Sequence, residues 1–175
     1  MKLPAPIRVI DHGTELAIPF EACVAYHGHT SIGGLALGFR LLQWSIAELS
    51  PNRVPDRESI RLQTTFPGPG LRDAFEMVAR VVTRGAYEVL PASAAPASAP
   101  EGVTGPMYFR VGVGQRELEV VLPPGAISAE FIAAGRHVKS GAATAAEIER
   151  WTELKEALAT SVWAAEPETL FLPAR

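Results

Sequence analysis

Two histidines stand one residue apart in His27-Gly28-His29-Thr30-Ser31-Ile32-Gly33-Gly34. An almost wholly apolar run, Leu35-Ala36-Leu37-Gly38-Phe39-Arg40-Leu41-Leu42-Gln43-Trp44, comes directly after. Imidazole is the commonest metal-ligating side chain and titrates near neutrality. Residues two apart diverge in a helix, but in an extended turn they share a face and can converge on one ion. His27 and His29 are therefore the candidate metal ligands, and together with Asp73 the candidate catalytic groups. Thr30 or Ser31 can cap the helix that begins there. The free N–H groups at such a start favour an anion. Gly33, Gly34 and Gly38 each cost a helix interior roughly 1 kcal/mol against Ala, which is offset if another backbone or a ligand must come close. The same pattern suits a buried helix whose glycines serve packing alone, with the histidines in an ordinary loop.

The elements that must position these residues can be read from periodicity. A strand is expected at 7–10 and a turn at Asp11-His12-Gly13. Pro19 opens a short helix over 20–26. Cys23 and His27, four apart, then share a face. Cys23 is either a small buried apolar residue or a further ligand. The long helix runs over 31–49, ended by Ser50-Pro51-Asn52. Being apolar nearly all round, it must be buried on several sides, in the core or at a subunit interface. Arg40 interrupts that surface, and either pairs with an acidic partner near the histidines or stays solvated.

Residues 59–66 alternate as a strand and end in Pro67-Gly68-Pro69-Gly70, a strong turn signal. A second helix is expected over 71–82, with Asp73 in its first turn. There the carboxylate either complements the helix dipole or faces the histidine loop. Another strand is expected at 86–90. The Pro/Ala/Ser-rich stretch 91–106 reads as a flexible insertion within one domain spanning 1–175. Residues 107–113 and 116–122 form a hairpin around Gly114-Gln115. One or two helical turns at 128–134 precede a basic loop at 135–141, which contains His137 and reads as a mobile lid. Thr144-Ala145-Ala146-Glu147 is a capping-box pattern for a last helix reaching 164. Leu170-Phe171-Leu172-Pro173 is expected to tuck back on the core.

Composition narrows the classes. The chain has 175 residues, 47% hydrophobic and 20% charged, enough for one domain with a sizeable core. Its formal net charge is −3, and no block of Lys and Arg suggests nucleic acid. One cysteine excludes an internal disulfide, a cysteine-rich zinc ribbon and an iron–sulfur centre. The opening residues 1–6 lack the apolar core of a secretory signal, and the most apolar helix carries Arg40 and Glu48, so no membrane span is expected. A cytoplasmic protein is the default.

The order helix, strand, helix, strand, hairpin, joined to the histidine loop, resembles the FmdE family, the E subunit of formylmethanofuran dehydrogenase and its stand-alone relatives. The matching residues are Phe20, Tyr26-His27-Gly28-His29, Gly33, Leu35-Ala36-Leu37-Gly38 and Arg40. The Asp73-Ala74 pair is similar to the family's C-x-x-D-A segment, and Pro167-Glu168-Thr169-Leu170-Phe171 to its tail. The resemblance covers about four fifths of the chain, from Pro19 to Leu172. It implies an α+β domain with a mixed sheet of the FwdE/GAPDH-like type, a long buried helix and a C-terminal helix. It also implies a metal-type site between the two helix starts. The family's first cysteine falls on Ser31 and its proline on Ile32; its second cysteine falls within 67–70, where there is no thiol.

Without thiolates a soft-metal site loses its strongest ligands. His27, His29, Asp73 and Ser31 could still hold zinc or another divalent transition metal, more weakly. Thr30, Ser31, Gly33, Gly34, Arg40, Gly68, Gly70 and Asp73 are the candidate ligand-binding residues. The first functional expectation is a metal- or small-ligand-binding accessory protein. By the resemblance it is a homodimer that partners a molybdenum or tungsten enzyme of one-carbon metabolism. The second is a small metal-dependent or histidine-based enzyme, a hydrolase or lyase, using the same pocket. The third is a dimer-forming domain whose site has decayed.

Overall fold

Turn chemistry shapes the first hairpin. In the computed structural model, which describes residues 4–174, β1 (Ile7–Asp11) folds back on β2 (Thr14–Ile18). The turn residues His12 and Gly13 both take positive φ, 48° and 80°. The sequence reading places only the first of these strands, because the return strand is largely exposed and carries a weak apolar signal. Met1, Lys2 and Leu3, part of the stretch without a secretory pattern, lie outside the described residues, as does Arg175.

Pro19 then starts α1 (Phe20–His27), which leads through a 3₁₀ turn, His29–Ser31, into α2 (Ile32–Leu49). The expected side-chain cap from Thr30 or Ser31 does not form. The 3₁₀ turn replaces it, with the Ile32 N–H donating to the carbonyl of His29. Helix α2 is the core element that its composition demands. Leu35, Ala36, Phe39, Leu41 and Leu42 are fully buried, and Ser50 ends the helix.

Strand β3 (Ile60–Thr64) buries Ile60, Leu62 and Thr64 on one face, as period-two patterning requires. After it, α3 (Pro69–Ala79) begins two residues earlier than the pattern suggests, because Pro69 is suited to a first helical position. Asp73 therefore falls in the second turn, and the first turn holds no acidic residue. The dipole role for Asp73 is thus corrected. Helix α3 crosses to β4 (Tyr87–Val89), which pairs parallel with β3.

The insertion carries a 3₁₀ turn at Ala92–Ala94 and a bridge between Glu101 and Pro106. Then β5 (Tyr108–Val113) and β6 (Arg116–Val121) form the expected hairpin. Helix α4 (Ala129–Lys139) overturns the expected basic loop and lid at 135–141. Ser128 caps it by accepting the Phe131 N–H, and Arg136, His137 and Lys139 occupy its last turn, where cations suit the dipole. Gly135 is buried inside α4. A Cβ there would lie 2.8 Å from a methyl of Val103 and 3.1 Å from the indole nitrogen of Trp151.

Helix α5 (Ala145–Ala164) has the full capping box between Thr144 and Glu147. Ile148, near its start, is exposed. A short α6 (Pro167–Leu170) delivers β7 (Leu172–Pro173) onto β6, so the tail does fold back, burying Leu170 and Phe171. The fold is α+β. The main sheet is mixed, in the order β4-β3-β5-β6-β7, antiparallel except for β3–β4. Among the described residues no helix is long and apolar enough to cross a membrane.

Helices α2 and α3 meet backbone to backbone. A Cβ on Gly38 would fall 2.8 Å from Cα and 2.9 Å from the carbonyl oxygen of Leu71. One on Gly70 would fall 2.7 Å from the oxygen of Ser31 and 2.8 Å from the nitrogen of Leu35. Gly38→Ala should therefore destabilise the chain by about 1–3 kcal/mol, although alanine is the better helix former by about 1 kcal/mol. Urea unfolding measures the difference, and an unchanged or raised midpoint would disprove the tight contact.

Candidate functional site

His27 is the last residue of α1, and the glycine after it decides the geometry. Gly28 adopts φ 84° and ψ −178°, a region open essentially to glycine alone. The chain turns sharply there, and His29 opens the 3₁₀ turn. His27-Gly28-His29 is therefore not the extended turn expected from sequence. The His27 side chain is nine-tenths buried, at 10% exposure, whereas His29 is exposed.

Burial takes His27 onto α3. Its Nδ1 lies 2.6 Å from Oδ2 of Asp73, whose side chain is 12% exposed. The other carboxylate oxygen, Oδ1, accepts a hydrogen bond from Nε of Arg72 at 2.7 Å. Burial by itself raises the Asp73 carboxyl, but the hydrogen bonds from Arg72 and His27 and the charges behind them outweigh it. The group is held below its ordinary value of 3.8. An ionised carboxylate can only accept, so the shared proton belongs to Nδ1 and Asp73 fixes the ring's tautomer and orientation. The far nitrogen, Nε2, is buried and has no hydrogen-bond partner.

A second orphaned atom belongs to the same neighbourhood. The hydroxyl of Tyr87, on β4, is buried without a partner. Burial pushes its phenol up; the charge of Arg72 lowers it and that of Asp73 raises it. Sequence reasoning misses both Arg72 and Tyr87. Arg72 could have been found as the neighbour of Asp73. Tyr87 comes close only through the parallel β3–β4 pairing, for which no local signal exists.

Cys23 does share the α3-facing side of α1 with His27. Its thiol points to the carbonyl of Ala74 at 4.0 Å, and burial pushes it up to about 12. It is a protonated core residue at neutral pH. Arg40 reaches away from the histidines, its Nη2 donating to the carbonyl of Ala165 at 3.3 Å and Nη1 to Gln43 at 3.2 Å. It ties α2 to the end of α5. Among the described residues no group of three or more His, Cys, Asp or Glu side chains could hold a metal.

The remaining expected ligand residues gather elsewhere. Ser31, Gly34, Gly68 and Gly70 line a cavity of about 110 Å³ that His27, His29 and Asp73 do not line. Gly33 packs against α5, where a Cβ would meet the carbonyl oxygen of Lys155 at 2.8 Å. The Thr30 carbonyl accepts a hydrogen bond from the Lys155 ammonium at 2.7 Å. His137, on α4, faces Glu147 at 3.4 Å, well exposed. The single pocket expected from sequence thus resolves into two places, a buried His27–Asp73 pair and a separate cavity. The proline–glycine turn does lie against the start of α2, but through Ser31 and Gly34, not through the histidines. Comparison of the sequence with protein-family models and with curated proteins finds no match.

Because Asp73 is depressed in the folded chain, its stabilising contribution is fully present above the unfolded carboxylate value of 3.8 and is lost as pH falls through the lower folded value. Asp73→Asn should cost about 1–3 kcal/mol near neutral pH. The gap to wild type should close on acidification below that range. Urea unfolding at a series of pH values measures this, and a gap that persists or widens in acid would contradict the assignment.

Proposed function

We propose that the chain is an FmdE-like binding protein that holds a divalent transition metal, or a small ligand bearing one, at Nε2 of His27. The observation that carries this reading is the buried, partnerless Nε2 on an imidazole whose opposite nitrogen is fixed by Asp73. A carboxylate behind the ring is how ligating imidazoles are held in the correct tautomer. The donors fit an open site rather than a closed one. Nε2 of His27 is the one protein ligand placed there, the expected second, His29, being turned out to solvent, and the ligand or water completes the shell. Such nitrogen and oxygen donors suit zinc or a neighbouring divalent ion. Once bound, the metal would supply a Lewis acid or a docking point for an anion. By the same resemblance the sheet order is FwdE/GAPDH-like. The chain then acts as a cytoplasmic homodimer beside a molybdenum or tungsten enzyme of one-carbon metabolism.

A second reading is favoured by the nearby Tyr87 hydroxyl and Arg72 cation. Here His27, oriented by Asp73, is a general base in a small hydrolase or lyase. Its Nε2 takes a proton from substrate or water, Asp73 stabilises the resulting imidazolium, and Arg72 neutralises Asp73.

Calorimetric titration of tag-free protein with cobalt(II) or zinc(II) separates the two. The first reading expects saturable binding that His27→Ala abolishes and Asp73→Asn weakens by ~10–100-fold. Equal binding by wild type and His27→Ala would overturn it. The second expects no such binding, and chelator-resistant turnover of a hydrolysable ester that is lost in His27→Ala.

A further inference from the structure

The insertion closes against α4 and α5 over the start of α3, and the space left between them is the cavity of about 110 Å³ that Ser31 and Gly70 line. Its walls are aromatic. Phe66, Phe131 and Trp151 all line it, with the Phe131 and Trp151 ring centroids 6.3 Å apart and their planes at 59°. It adjoins a narrower apolar recess of about 50 Å³ bounded by Leu37, Met107 and Leu158. A preformed apolar cavity of about 150 Å³ accepts a benzene ring, so the cavity and the recess together have about the size of one small ring.

Its charged groups are of one sign. Lys139 and Lys155 both line the cavity, and none of the described residues lining it is acidic. Lys155 is held in place, its ammonium donating to the Thr30 carbonyl at 2.7 Å and lying 4.5 Å from the Trp151 ring centroid. Two donors remain on that nitrogen. Burial pushes this ammonium below its ordinary value, and a nearby anion would relieve that cost. The hydroxyl of Thr104, also on the wall, is buried and has no partner. The indole nitrogen of Trp151, which lies close over Gly135, is likewise buried without a hydrogen-bond partner.

We infer that this cavity is a binding site for a small planar carboxylate of about benzoate size. Its ring lies among Phe66, Phe131 and Trp151, and its carboxylate meets Lys155 and Lys139, with the Thr104 hydroxyl as a further donor. Flat apolar walls select a ring over a flexible chain, because aromatic faces gain most from an offset-stacked or edge-on partner. Two lysines, with no acidic residue among the described lining, select an anion over its neutral isostere. The site is separate from the His27–Asp73 pair and does not depend on what that pair binds.

Titration of the full chain with benzoate, benzamide and cyclohexanecarboxylate tests this. Benzoate should bind saturably, and benzamide at least about tenfold more weakly. Cyclohexanecarboxylate, which keeps the charge but not the flat ring, should also bind more weakly than benzoate. Lys155→Gln, which keeps a donor but loses the charge, should weaken benzoate by about tenfold or more, and Lys155→Arg should restore most of the loss. Thr104→Val should weaken it less. His27→Ala should bind benzoate as wild type does, even if it no longer binds cobalt. Absence of saturable binding in a folded wild type, equal binding of benzoate and benzamide, or indifference to Lys155→Gln would overturn the proposal. Loss of benzoate binding in His27→Ala would overturn a separate site.

Discussion

Two helix backbones touch, and the rest of the molecule is arranged around that contact. Where α2 crosses α3, no side chain separates them: Gly38 faces Leu71, and Gly70 faces Ser31 and Leu35. Each helix lacks a side chain where the other presents backbone. The contact brings the start of α3 against the start of α2, although the rest of α2 and a strand lie between them in sequence. Glycine in a helix costs roughly 1 kcal/mol, and close packing of many atoms offsets it through dispersion. With the two helices fixed at this distance, the side of α3 carrying Asp73 and Ala74 is presented to α1, where it receives His27 and Cys23.

The charge at that junction is balanced within a few residues. Asp73 is buried between an imidazole and a guanidinium. A lone carboxylate there would be expensive to desolvate. Arg72 is half-exposed and keeps one side of the pair near water, while His27 takes the buried side. The outcome is an imidazole whose orientation is not free, since one nitrogen is committed to Asp73 and the other is held in the interior. A ring so fixed is ready to accept a cation or a proton without further ordering.

Much of the architecture was legible in the sequence because it rests on local chemistry. The length of α2 is set by its apolar run and the Ser50-Pro51 stop. The capping box at Thr144 and the hairpin around Gly114 are patterns of a few residues. The pairing of His27 with Asp73 was legible only as an alternative, since it depends on the α1–α3 contact. What failed was conformational detail that one residue decides. Gly28 admits a backbone region that no alternation reveals, and it separates His27 from His29. Pro69 moved the start of α3 and carried Asp73 out of the first turn. Helix α4 continues through Gly135, where the sequence suggests a break, because Val103 and Trp151 need the space that a side chain would fill. The division of one expected pocket into two comes from the same limit, for no local signal says which side of a helix crossing a residue will face.

Cys23 gives the molecule an internal reporter group. It is the only thiol in the chain, fully buried between α1 and α3, with its ionisation pushed up to about 12. In the closed molecule the thiolate that alkylating reagents require is essentially absent. Labelling at this sulfur therefore requires the α1–α3 contact to open, and that is the contact which also holds His27 on Asp73. The protein thus carries, at one turn's distance from its histidine, a thiol whose reactivity reports on the closure of that same helix contact.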